Sequence, residues 1–163
     1  MIEKSIEEII NEELSSDDKI VALDFITFLR ENELDFVRDR GYWRDKIYFL
    51  VQYDNECVCF ISIKDPDEIE NRWTVWSDDM SSTYLADNDI ENALKITAWE
   101  HVDLCGHCGS CGGGRKKNIF GKEFDEVCGC TFRFDNPQRN DLKFMKKMVE
   151  IRKRELLERN GGL

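Results

Sequence analysis

Apolar residues near the start of the chain recur three and four residues apart, which is the period of an α-helix. This spacing predicts a first helix over residues 3–14. A second helix is predicted from a serine cap at Ser15 or Ser16 to near Asn32. Its apolar residues lie on nearly all sides of the helix axis, so we expect this helix to be well buried. Together the two helices make a predicted N-terminal helical region over residues 3–33.

The pattern then changes to that of β-strands. Lys46–Tyr53 and Glu56–Ile63 are rich in Ile, Val, Tyr and Phe, and Asp54 and Asn55 between them predict a two-residue hairpin turn. Asn tolerates the positive φ that such a turn needs. Shorter strands are predicted on either side of this hairpin, at Leu34–Val37 and Arg72–Trp76.

The second half of the chain predicts a helix, a strand and a longer helix. The first of these helices follows a polar loop over residues 77–86 and ends near His101. A strand is predicted over Val127–Phe134. Asn136 is then the predicted cap of a C-terminal helix over about residues 137–159, which has a proline in its first position.

This order of elements predicts one α+β domain over residues 1–163, with a mostly antiparallel sheet, helices packed on one face and a cysteine-rich metal-binding loop. The loop is predicted as an insertion over about residues 101–130. A chain of this length can bury ~70% of the surface that its unfolded form exposes. It therefore does not need a metal merely to fold.

Five of the seven cysteines fall in one short window. It reads Cys105-Gly-His-Cys108-Gly-Ser-Cys111 and, after a glycine-rich basic stretch, Cys128-Gly-Cys130. Two residues between Cys105 and Cys108 let both sulfurs reach one ion, and Cys128 and Cys130 would share one face of a regular strand. We therefore expect a zinc site with ligands drawn from these five cysteines.

Four thiolates complete a tetrahedral zinc site, so one cysteine is surplus. The fourth ligand is either Cys111 or Cys130. His101 and His107 lie close by, but for each the sequence favours a role other than metal ligand. A site with four protein ligands has no open position for water, so we expect a structural and not a catalytic zinc, and we predict no catalytic residue.

An iron–sulfur cluster is the alternative. The Cys-x2-Cys-x2-Cys spacing that begins at Cys105 matches the start of a bacterial ferredoxin run, although Arg115 stands where that run has its next cysteine. A redox protein with such a cluster, or with a metal-held thiol switch, is therefore the second hypothesis. Cys57 and Cys59 alternate with Val58 and Phe60 within a predicted strand. We interpret them as buried thiols without a metal.

Charge and hydropathy limit the partners. The net charge is −11; residues 1–104 hold 10 Lys and Arg against 26 Asp and Glu, and residues 105–163 hold 13 against 8. The acidic half would repel nucleic acid and anionic membranes, and the basic half fits a solvated helix face better than a nucleic-acid site. No apolar run approaches the ~20 residues of a membrane helix, and the N-terminus lacks the pattern of an export signal. We therefore expect a cytoplasmic protein.

Aromatic residues are concentrated around the predicted strands. Such residues mostly fill cores, but they also line pockets for flat organic molecules, so a small aromatic ligand or a protein partner is possible. The sequence leaves the oligomeric state open. The aromatic group comprises Tyr42, Trp43, Tyr48, Phe49, Trp73, Trp76 and Trp99.

Three segments carry a resemblance: His101–Cys111, Ile119–Cys128 and Thr131–Pro137. Over roughly residues 36–155 the chain resembles a family of small uncharacterised bacterial cysteine-motif proteins from clostridia-like genomes. The terminal strand and helix, closing at residues 148–153, are also faintly similar to small-ligand-binding domains of the GyrI-like kind. The first resemblance implies no activity, and neither implies catalytic residues.

Overall fold

The computed structural model describes residues 3–39, 46–78, 82–106 and 113–161. Five α-helices and seven β-strands lie within these ranges. The helices are α1 (Ile6–Glu13), α2 (Ser16–Glu31), α3 (Ser82–Asp87), α4 (Asn92–Glu100) and α5 (Leu142–Gly161). The strands are β1 (Asp35–Arg38), β2 (Ile47–Tyr53), β3 (Glu56–Ile63), β4 (Trp73–Ser77), β5 (Val102–Leu104), β6 (Arg115–Ile119) and β7 (Lys122–Asp135).

The strands form one antiparallel sheet in the order β1-β2-β3-β4-β7-β5, and β6 pairs with the first part of β7. The α+β class with a mostly antiparallel sheet is thereby confirmed. The β2–β3 hairpin is confirmed in particular, with Asp54 and Asn55 both at positive φ in its turn. Two positive φ values are what a tight hairpin turn requires.

One face of the sheet carries the core. Trp73 and Val75 of β4 and Phe132 and Phe134 of β7 are fully buried there. Phe144 of α5 packs against both β7 phenylalanines, with ring centroids 5.1 and 6.1 Å away. Burial of large aromatic side chains is among the largest contributions to the stability of a domain. This face therefore holds α5 against the sheet.

The predicted start of the C-terminal helix is wrong. Asn136 does not cap it; the Asn136 side chain accepts a hydrogen bond from the Arg72 backbone N–H at 2.6 Å and donates one to the Glu70 carbonyl. Asn136 thus ties the end of β7 to the start of β4. A 3₁₀ turn over Arg139–Asp141 follows, and α5 begins only at Leu142.

Three further elements were not predicted. α3 lies inside the predicted polar loop, and β5 and β6 lie inside the predicted metal-binding insertion. β7 is also longer than predicted and begins at Lys122. Most of the described residues of the insertion therefore lie in strands. No helix among the described residues is long and apolar enough to cross a membrane.

Candidate metal centre

The cysteine loop joins β5 to β6, and β7 holds both of its ends. Leu104, the last residue of β5, pairs with Val127 on one edge of β7. Arg115, the first residue of β6, pairs with the same Val127 on the other edge. Cys105, which follows Leu104, and Gly114, which precedes Arg115, therefore both border β7 next to the residue before Cys128.

Both loop ends also contact the backbone of Glu126. The Cys105 N–H donates a 2.6 Å hydrogen bond to the Glu126 carbonyl. On the other side, Gly114 lies so close that a Cβ at its position would come within 2.5 Å of the Glu126 carbonyl carbon. Only glycine permits this approach. Glu126 itself has φ +59, a conformation that residues with a Cβ rarely adopt.

Immediately after this contact β7 leaves regular pairing with β5. Leu104 pairs with Val127 and Val102 pairs with Phe132, so five residue steps on β7 oppose two on β5. The extra length forms a wide bulge that contains Cys128, Gly129 and Cys130. We call the loop ends (residues 104–106 and 113–115) together with residues 126–131 the cysteine corner. The expectation that Cys128 and Cys130 share one face assumed a regular strand, and the pairing of β7 with β5 is not regular here.

Cys128 faces β5. Its thiol donates a hydrogen bond to the Asp103 carboxylate. Burial raises the pKa of the Asp103 carboxyl, while the nearby Arg133 and the Cys128 hydrogen bond act in the opposite direction. Asp103 precedes Leu104 and Cys105 on the same strand, so Cys128 lies beside the residue at which the loop begins.

Cys130 lies in the same bulge, two residues before Phe132. It interacts electrostatically with Tyr48 of β2 and with Cys57 of β3. Burial raises the pKa of the Cys57 thiol to about 12, and the nearby Asp78 and Cys130 act in the same direction. This thiol is therefore protonated at neutral pH. Cys59 is fully buried in the core. These two cysteines of β3 fit the packed role predicted for them.

Three of the five predicted ligands, Cys105, Cys128 and Cys130, are among the described residues. Within residues 3–39, 46–78, 82–106 and 113–161, no three His, Cys, Asp or Glu side chains come close enough together to hold a metal ion. Cys108 and Cys111 lie outside the described residues, as does His107. The predicted ligand set therefore stays a prediction.

His101 packs as part of the core. Its ring stacks on Phe134 with centroids 4.5 Å apart, Nδ1 lies 2.9 Å from the Thr97 carbonyl, and Nε2 lies 3.6 Å from an Asp141 oxygen. These contacts engage both ring nitrogens, which is typical of a structural histidine.

The face of the sheet opposite the core carries an aromatic cluster. Tyr48 lies 6.0 Å from both Phe60 and Trp76, measured between ring centroids. The Arg133 guanidinium lies 5.2 Å from the Trp76 ring. All are half-buried. Of the other predicted aromatic residues, Phe49 and Trp73 lie in the core, Trp99 donates to the Ile119 carbonyl, and Tyr42 and Trp43 lie outside the described residues.

A separate groove of about 620 Å³ lies between α2, α4 and α5. Its volume is in the range of small-molecule sites. Phe28, Ile90 and Leu94 supply its apolar part. Lys143 on its rim is paired with Glu91 at 2.9 Å, so this lysine is already neutralised within the protein.

Basic residues of α5 also pair with acids from the first half of the chain. Lys146 lies 2.7 Å from Asp24, and the buried Arg152 lies 3.1 Å from Asp78. These ion pairs join oppositely charged residues of the two halves. They also engage cations that a phosphate backbone would otherwise attract.

Sequence reasoning missed Asp103 and Tyr48 as neighbours of the cysteines. Asp103 stands two residues before Cys105, which is the spacing of side chains on one face of a strand, but the sequence predicted a helix that ends near His101 and then the metal-binding insertion, with no strand there. Tyr48 is brought near by sheet pairing, which leaves no local signal. No protein-family model, curated protein or solved structure matches this chain. The resemblances drawn from the sequence therefore stay predictions.

Proposed function

We propose that this protein is a cytoplasmic binding or regulatory module in which a structural zinc ion closes the cysteine loop. The observation that carries the proposal is the double attachment of the loop to β7. Leu104 pairs with Val127 from one edge of β7, and Arg115 pairs with the same residue from the other edge. Cys128 follows Val127 directly. Cys105, which follows Leu104, is thus kept near Cys128.

The chemistry of the corner suits zinc. Thiolates are its preferred structural ligands, and reducing surroundings keep such cysteines available. Cys105 and Cys128 come from separate segments, so a shared ion would tie the loop to β7 where β5 pairing becomes irregular. Glu126 has a positive φ, and Gly114 approaches its backbone closely. These two features fix the backbone at the point where the ion would tie the loop to β7.

We assign binding to the aromatic cluster on the face of the sheet opposite the core. Tyr48, Phe60 and Trp76 make a half-buried aromatic surface there with Arg133 at its edge. Aromatic surfaces with one cation suit a small aromatic ligand or a protein partner. The zinc would then stabilise the strand, β7, that borders this surface.

The alternative is a redox protein with an iron–sulfur cluster or a metal-held thiol switch. It is favoured by the position of Cys130 near Cys57, which places further thiols close to the cysteine corner. Metal-bound thiolates can be oxidised with release of the metal. Colour and metal content separate this alternative from zinc.

The test is elemental analysis and a visible spectrum of the full chain purified without oxygen. We expect a colourless protein with one zinc ion per chain. Cys105→Ser and Cys128→Ser should lose the zinc, and Cys57→Ser should keep it as the matched control. A wild-type protein without bound metal refutes the proposal, and a brown protein that contains iron establishes the alternative.

A further inference from the structure

A row of apolar side chains crosses the sheet on the face opposite the core. Residues that lie directly opposite each other on neighbouring antiparallel strands point to the same face, so the strand pairing identifies the members of the row. Val37 of β1 pairs with Leu50 of β2, and Leu50 pairs with Phe60 of β3. Phe60 pairs with Trp76 of β4. We call these four residues the apolar row.

The apolar row points away from the helices. Val51, Ile61 and Val75, each of which adjoins a member of the row along its strand, are fully buried in the core. Side chains alternate between the two faces of a strand, so the row lies on the other face. Its members keep partial exposure, which reaches 42% at Val37. Contiguous apolar surface with a polar rim is typical of a protein interaction site.

One end of the apolar row lies at Arg133 of β7, which pairs with Trp76 and whose guanidinium lies 5.2 Å from the Trp76 ring. Two carboxylates hold this cation, Glu68 at 2.7 Å and Asp135 at 2.9 Å. The Arg133 charge is therefore more than balanced. Both carboxylate side chains are still 40% exposed, so they can accept hydrogen bonds from a further cation.

The β1 end of the apolar row is acidic as well. Asp35 stands two residues before Val37, so the two side chains share one face of β1, and Asp35 is exposed. In addition, β1 to β4 belong to residues 1–104, which hold 26 Asp and Glu against 10 Lys and Arg. A surplus of this size favours the approach of cationic groups.

The length of the apolar row suits a segment of a protein. From β1 to β7 the row crosses four strand spacings of about 4.8 Å, so its two acidic ends are about 19 Å apart. About 13 residues of α-helix cover that distance. A segment with an apolar centre and with Lys or Arg at both ends would therefore match the row and its rim.

We infer that the apolar row binds a basic segment of a partner protein, with apolar side chains against Phe60 and Trp76 and with Lys or Arg side chains at the carboxylates of both ends. This inference rests on the part of the proposed function that assigns binding to the aromatic cluster, and it does not depend on zinc. It specifies the charge of the partner, which the aromatic residues alone leave open. The same carboxylates would repel nucleic acid and anionic membranes.

The charge of the partner is tested with a phage-displayed library of random peptides of about 12 residues. The library is selected on the immobilised full-length wild type, and the affinity of each enriched peptide is then measured by fluorescence anisotropy. We expect enriched peptides with net positive charge and an apolar centre. Their affinity should fall at least about fivefold when NaCl is raised from about 0.05 to about 0.5 M. Acidic or neutral enriched peptides, or no enriched peptide at all, would overturn the inference.

Two variants test whether these peptides bind at the apolar row. Trp76→Ala should weaken binding at least about tenfold, because large aromatic side chains supply most of the affinity at such surfaces. Phe28→Ala is the matched control. It removes another half-buried ring with a cation near it, on the helical side, and should stay within about twofold of wild type. Peptides that bind Trp76→Ala as tightly as wild type contradict the inference.

A pair of charged variants at Val37 keeps the test valid if Trp76→Ala does not fold. Val37 is exposed on the strand at the end of the sheet order, so its replacement leaves the core intact. Both Val37→Lys and Val37→Glu remove the apolar contact, but only lysine repels a basic segment. Val37→Lys should therefore bind the enriched peptides at least about threefold more weakly than Val37→Glu. Equal binding, or the reverse order, would count against a basic partner.

Two further results separate this inference from its neighbours. Dimers of the wild type that Val37→Lys abolishes in sedimentation would identify a second copy of the chain as the occupant and overturn the inference. All peptide measurements are made on zinc-loaded and on chelator-treated protein. A wild type without zinc refutes the proposed zinc site and leaves the peptide result standing, whereas acidic peptides refute the basic partner and leave the zinc site standing.

Discussion

The helix-packed core and the cysteine corner share one strand, β7, and use it in opposite ways. Phe134 pairs regularly with Val75 of β4, and the rings of Phe132 and Phe134 are completely buried against Phe144 of α5. Directly before Phe132 the same strand has a bulge whose thiols are only partly buried. The core is stabilised by apolar area removed from water, whereas the corner depends on backbone geometry and on side-chain ligands. Changes in the two regions should therefore have separable effects.

The largest effect is expected in the core. Phe144 is fully buried and contacts Phe120, Phe132 and Phe134. Phe144→Ala should lower the free energy of unfolding by about 3–5 kcal/mol, because it leaves a cavity in the ring cluster. Leu157→Ala, on an exposed part of the same helix, should change it by less than about 0.5 kcal/mol. Urea unfolding measures both, and equal losses would show that the cluster is not the core.

Sequence periodicity found the core elements because each obeys a local rule. The β2–β3 hairpin was placed within one residue, since alternating apolar residues and an Asp-Asn turn act over a short range. α1 and α2 also fall within the predicted region. Asn136 was misread because its side chain could cap either a helix or a neighbouring strand, and the strand partner, Arg72, is distant in sequence.

The cysteine corner was harder to predict because its determinants are not local. Cysteine spacing indicated a metal site, but spacing could not show that β5 and β6 flank one residue of β7. Glu126 gives no signal of its positive φ, since glutamate has no preference for it. Cys128 and Cys130 lie in a bulge that only the paired strands define.

An intermediate effect is expected at the loop end. Gly114→Ala would place a Cβ within 2.5 Å of the Glu126 backbone, so one of the two segments must move. We expect a loss of about 1–3 kcal/mol in unfolding free energy, measured with chelator present. Gly106→Ala is the matched control at the other loop end, where a Cβ meets nothing within 4 Å, and it should be nearly neutral. If Gly114→Ala is also neutral, the loop end is not held against β7 as described.

The smallest effects concern pH, and here the two regions differ in sign. Burial raises the pKa of Asp103 in the corner above its ordinary value of 3.8. The hydrogen bond from Arg30 lowers the pKa of Glu7, on the helical side, below 4.5. Folding therefore favours the protonated form of Asp103 and the ionised form of Glu7.

The sign of each contribution follows from proton binding. When the folded pKa is raised, the folded state binds more protons, so the Asp103 contribution is largest below pH 3.8 and falls as pH rises through the raised pKa. The Glu7 contribution is complete above pH 4.5 and is lost as pH falls through the lowered pKa. Because the Arg30–Glu7 pair is well exposed, solvent screening limits its contribution to at most about 0.5 kcal/mol.

Two variants separate these contributions in metal-free protein unfolded by urea between about pH 3 and 7. Asp103→Asn should remove the fall in stability with rising pH, because the amide does not ionise. Glu7→Gln should reduce stability near neutral pH and converge with wild type in acid, because Arg30 then has no carboxylate to pair with. Parallel pH profiles for wild type and Asp103→Asn would mean that the carboxyl beside Cys128 is not desolvated. The corner would then be more open to water than the core beside it, and Cys128 would need another partner than Asp103.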